Sequence, residues 1–73
     1  MIRVDSIFSG LDRAKATALL DLKFGRTEAE TTARDALTSF FLEPTEENRR
    51  AAIAKLDRLP ADRQLALRRS AWR

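Results

Sequence analysis

The 73-residue chain contains no cysteine, no histidine and no tyrosine. Without cysteine there is no disulfide to staple a small fold. Without cysteine or histidine the commonest zinc ligands are missing, and so is the side chain that most often moves protons near neutral pH. General bases and nucleophiles reduce to Ser, Thr, Lys, Asp and Glu. Carboxylates that share a metal on one helix must sit three or four residues apart. Glu28 and Glu30 are two apart, Glu46 and Glu47 are adjacent, and Glu43 and Glu46 have Pro44 between them. No metal, no cofactor and no enzymatic activity are therefore expected.

Glycine and proline are nearly as scarce. The two glycines, Gly10 and Gly25, make no phosphate-cradling loop. Two glycines and two prolines are also too few turns for a β-sandwich. The longest uninterrupted apolar runs reach only three or four residues, such as AAIA at 51–54, so no membrane span is expected. The opening MIRVDSIFSG lacks the apolar core of an export signal. Together with the missing cysteines this favours a reducing, cytoplasmic setting.

What is present is apolar and charged material in helical order. Hydrophobic residues make up 44% and charged residues 34%, a globular balance rich in helix-favouring alanine. The expectation is one all-α domain over 1–73: a small bundle of three to four short helices, with residues 1–8 as an extended N-terminal arm. In MIRVDSIF, Ile2, Val4 and Phe8 alternate onto one side, and Ile7 breaks the pattern.

The first helix is placed at about 11–23, capped by Ser9 and stopped by Gly25. It carries apolar residues on two sides: Leu11, Ala14, Ala18 and Leu22 on one, Ala16, Leu20 and Phe24 on the other. Such a helix lies between neighbours or faces a second chain, so a homodimer enters the reading. The run Thr27-Glu28-Ala29-Glu30 is a capping box that opens a second helix, 28–42. Its inner face is Ala29, Ala33, Ala36, Leu37, Phe40 and Phe41, with Glu30 and Arg34 as an i,i+4 pair. Pro44 ends it, because the residue before proline avoids the helical region. Thr45 caps a third helix, 46–59, with Ala52, Ile53, Leu56 and Leu59 inward and Glu46 paired to Arg50. Pro60 starts a fourth, 61–72.

Charge is uneven along the chain. Residues 1–43 hold six basic and seven acidic side chains; residues 44–73 hold eight and four. A nucleic-acid reading would use Arg49, Arg50, Lys55, Arg58, Arg68, Arg69 and Arg73. At about 100° per residue these scatter around their helices, and only Arg69 and Arg73 share a face. A DNA-reading helix gathers its cations. Trp72 has two roles open to it: closing the end of the bundle, or anchoring in a partner's pocket, where Trp and Arg are preferred. The function expected is a small non-enzymatic protein-protein interaction module, an adaptor or inhibitor. Its candidate surfaces are Ala16, Leu20 and Phe24 on the first helix, and Arg68, Arg69, Trp72 and Arg73 at the C-terminus. Nucleic-acid binding is the alternative, and no membrane partner is expected.

Overall fold

Asp12, not Ser9, starts the first helix. Its carboxylate accepts the Lys15 backbone N–H at 2.8 Å. Ser9 is held one turn earlier, in a tight turn closed by Ser9 N–H to the Ser6 carbonyl (3.0 Å) and Leu11 N–H to the Phe8 carbonyl (3.1 Å). Gly10 in that turn has φ +86°, a left-handed conformation that glycine tolerates and that cannot continue into a helix. The cap therefore falls to the next side chain able to serve.

The computed structural model describes residues 6–72 and contains four helices: α1 (Arg13–Leu20), α2 (Glu28–Leu42), α3 (Glu46–Leu56) and α4 (Ala61–Ala71). No strand occurs among the described residues. The chain is an all-α bundle, as its composition and periodicity require. Three boundaries differ from expectation. The first helix stops at Leu20, three residues short, with Asp21 as its C-cap and its N–H on the Thr17 carbonyl at 3.1 Å. Gly25 is not its stop signal: Gly10 is the glycine with positive φ among the described residues. Instead, the Glu30 carboxylate occupies the space a β-carbon at Gly25 would fill, so a larger residue there would make that side chain move. The third helix gives way after Leu56 to a turn, in which Leu59 N–H bonds the Leu56 carbonyl at 3.1 Å. Pro60 stands just before α4, as its N-cap, not as its first residue.

The other caps are as the sequence implies. Thr27 Oγ1 accepts from Glu30 N–H (3.3 Å), and Thr45 Oγ1 from Asn48 N–H (3.2 Å). Between α2 and α3, the Asn48 side-chain amide donates to the Glu43 carbonyl at 2.8 Å, which fixes the bend at Pro44.

α2 packs against both α1 and α3, while α4 packs against α1. The core is built from Phe8, Leu19, Leu37, Leu56 and Leu67, fully buried, with Ala16, Ala33 and Ala52 at the close approaches. Burying each large side chain contributes about 1.5–3 kcal/mol. Phe8 corrects the arm reading where the two overlap. It is 0% exposed, and residues 7–10 form the turn, so this stretch belongs to the core and is not extended. Residues 1–5 of the expected arm lie outside the described residues. The two apolar sides of α1 are also explained. With α2 on one side and α4 on another, α1 is sandwiched within its own chain. Its inward axis runs through Ala16 and Leu19, which leaves Ala14 exposed.

Candidate functional site

Trp72 follows the last helical residue and folds back onto the bundle. Its ring meets Phe8 edge-on, centroids 5.9 Å apart at 68°. Such aromatic pairs favour an edge-to-face arrangement. Two cations flank the indole: Lys15 Nζ lies 5.7 Å from its centroid and the Arg68 guanidinium 5.9 Å. The same Arg68 guanidinium is fixed by a hydrogen bond from its Nε to the Ile7 carbonyl at 2.8 Å. Lys15 also sits 3.5 Å from Asp12, whose carboxyl is held below its ordinary value by the Lys15 backbone N–H. The result is a half-buried indole bordered by cations, built by α1, α4 and the turn before α1. Arg69, next along α4, is exposed, and Arg73 lies outside the described residues.

The first-helix surface does not survive as such. Ala16 is 0% exposed and lies in the core, so in the folded chain it presents nothing to a partner. Leu20 and Phe24 are half-buried against that core. Phe24 is overlain by the Arg63 guanidinium, 6.0 Å from its centroid. Arg63 ties three elements together. Its Nε donates to Glu30 at 2.8 Å, and its Nη2 donates to the Lys23 carbonyl. The expected Glu30–Arg34 pair is thus replaced by a pair reaching 33 positions along the chain. Half of the capping box is diverted with it, because the Glu30 carboxylate turns to Arg63 and to the Gly25 backbone. Arg63, and to a smaller degree that backbone N–H, hold the Glu30 carboxyl below its usual range.

The described basic residues of the nucleic-acid alternative lie on α3, in the turn after it and on α4. Arg49 and Arg50 both belong to Glu46, at 2.7 and 3.2 Å. The Arg49 guanidinium, with Arg50 behind it, holds that carboxyl at about 2. Lys55 and Arg58 line a cleft between α2 and α3. Arg68 and Arg69 belong to α4, which packs on α1.

No family model, no curated protein and no solved structure matches the chain. Among the described residues no helix is long and apolar enough to cross a membrane, and no group of three or more acidic side chains is placed to hold a metal.

Phe8, Lys15 and Arg63 are the participants that sequence reasoning missed. Asp12 to Lys15 has cap spacing and was there to be read. Phe8 with Trp72, and Arg63 with Glu30, are long-range pairs that carry no local signal.

Proposed function

We propose that the chain is a non-enzymatic protein-binding module, an adaptor or inhibitor, which docks through the end of the molecule that carries Lys15, Arg68, Arg69 and Trp72. The observation that carries this reading is the indole with two cations beside it, 5.7 and 5.9 Å from its centroid. Trp and Arg are the residues that most often dominate binding energy at interfaces. Phe8 and Arg68 hold the indole in place before any partner arrives, which lowers the ordering cost of association. Among the described residues Asp12 is the carboxylate within 4 Å of these cations, which leaves positive charge there, so the fitting partner presents an acidic surface. Trp72 packs on the core and is only half-buried, which supports an anchoring role beside that of closing the bundle.

A photoreactive phenylalanine analogue in place of Arg69, with one in place of Glu47 as a control, tests the reading. The expected result is a protein adduct from position 69, none from 47, and loss of the adduct in Trp72→Ala. Equal capture from both positions overturns it. Capture of nucleic acid at 69, falling steeply with added salt, transfers the surface to the nucleic-acid alternative.

A further inference from the structure

On the other half of the molecule, α2 and α3 enclose an open cleft of about 320 Å³ lined by Glu28, Ala29, Thr32, Lys55 and Arg58. That volume is at the small end of binding sites and holds one or two side chains, not a large ligand. Its two cations, Lys55 on α3 and Arg58 in the turn after it, differ from Arg49 and Arg50. Arg49 and Arg50 are neutralised by Glu46, whereas among the described residues neither Lys55 nor Arg58 has a carboxylate within 4.0 Å. The acidic residue between them, Asp57, accepts a hydrogen bond from Ser6 Oγ. The cleft thus carries two uncompensated cations and one carboxylate, Glu28.

We propose that this cleft is a second binding site, which takes an acidic side chain of a peptide segment. Lys55 and Arg58 receive the carboxylate, Ala29 packs against its methylene stem, and the Thr32 hydroxyl supplies a further donor. Glu28 decides between a peptide and inorganic phosphate. A peptide brings backbone N–H groups that a carboxylate can accept from. Inorganic phosphate is more densely charged than a single carboxylate, and its one or two P–OH groups are its only donors, so Glu28 disfavours it. The site is independent of Trp72. With both ends occupied the chain would join two acidic segments.

The test is an amide-shift titration of the full chain with acetyl-tetraglutamate amide, alongside inorganic phosphate and a short thymidine oligonucleotide. The expected result is saturable shifts at Ala29, Thr32, Lys55 and Arg58 with the peptide, retained in Trp72→Ala. In Lys55→Glu/Arg58→Glu the dissociation constant should rise by about tenfold or more. Arg58→Glu alone, at an exposed position, should give a smaller rise in the same direction should the double variant fold poorly. Glu28→Gln should admit phosphate more readily than wild type does. Shifts spread evenly over Arg26, Arg34 and Arg69, phosphate shifting the same four amides at equal concentration, or no saturation, each overturns the assignment. Loss of Trp72-dependent crosslinking with the cleft titration intact would refute the docking end alone.

Discussion

The α2–α3 half and the α1–α4 half of this bundle are assembled in different ways. In the first, the caps and the Glu46 ion pairs are nearby in sequence, although Glu30 of α2 and the Asp57 cap of α3 are tied to distant residues. Thr27 and Thr45 cap their own helices, Asn48 bonds back five residues to Glu43, and Glu46 serves cations three and four positions on. In the second, the ties cross the chain. Arg68 reaches Ile7 over 61 positions, Ser6 reaches Asp57 over 51, and Arg63 reaches Glu30 over 33. α1 is the shortest of the four helices, with only eight residues. Helices that short are unstable alone, so tertiary packing must hold it. The lesson is that the weaker helix lies where the distant contacts converge, and the proposed docking end is built from those same contacts.

The sharpest way to break this comparison is Phe8→Ala. Removing a fully buried phenylalanine costs about 3–5 kcal/mol, close to the whole stability of a domain this small. The variant is expected to be largely unfolded at 37 °C, as followed by circular dichroism, with Trp72 fluorescence shifted to the red. A stable variant with unchanged fluorescence would show that the segment before α1 is not part of the core. Next comes Arg63→Ala, which leaves the Lys23 carbonyl and Glu30 without their partner and uncovers Phe24. Losing a hydrogen-bonded charged group of this kind costs about 1.5–3 kcal/mol in general, and about 1–2 is expected here because both partners are partly solvated. Urea unfolding measures it, and hydrogen exchange should rise in the loop before α2 more than in α3. If α3 exchanges equally faster, the halves are not distinct.

The same division explains what could be read in advance. The all-α class, the 28–42 helix and the start of α3 follow from local chemistry: a threonine cap, an apolar stripe, a proline stop. The inward placement of Leu37, Leu56 and Ala52 follows from period alone. Most misreadings fall in the other half, although α3 ends three residues early and Glu30 on α2 pairs with Arg63 and not with Arg34. Ser9 lost the cap to Asp12 because Gly10 takes a left-handed turn, which composition does not announce. Two-sided apolarity on α1 correctly implied two neighbours, but its period could not say that both are in the same chain. Of the C-terminal site, Arg68 and Trp72 were legible as a basic-aromatic tail. Lys15 and Phe8 were not, because nothing local connects them to residue 72.

Smaller effects test the local half. Thr45→Ala removes one side-chain cap from α3 and should cost about 1 kcal/mol. The loss should be read in urea unfolding with α1 and α4 protection from exchange unchanged. Arg50→Ala should be nearly silent, since Arg49 alone makes two bonds to Glu46.

The subtlest outcome lies in acid. There is no histidine, so the melting temperature should be flat between about pH 5.5 and 7. Glu46 is held at about 2 in the folded chain against an ordinary 4.5, which means the unfolded chain binds more protons between those values. Its contribution is therefore complete above pH 4.5 and is lost as pH falls towards 2. Glu30 and Asp12 are shifted downward too and add to the same acid limb. Glu46→Gln should make that limb shallower by removing the contribution at neutral pH, a small fall in melting temperature because the pair is exposed, and should leave the acid end unchanged. Because Glu30 ties distant elements and is less exposed than Glu46, Glu30→Gln should lower the neutral melting temperature by more. Equal behaviour of the two variants in thermal melts across pH would erase the distinction between local and long-range halves.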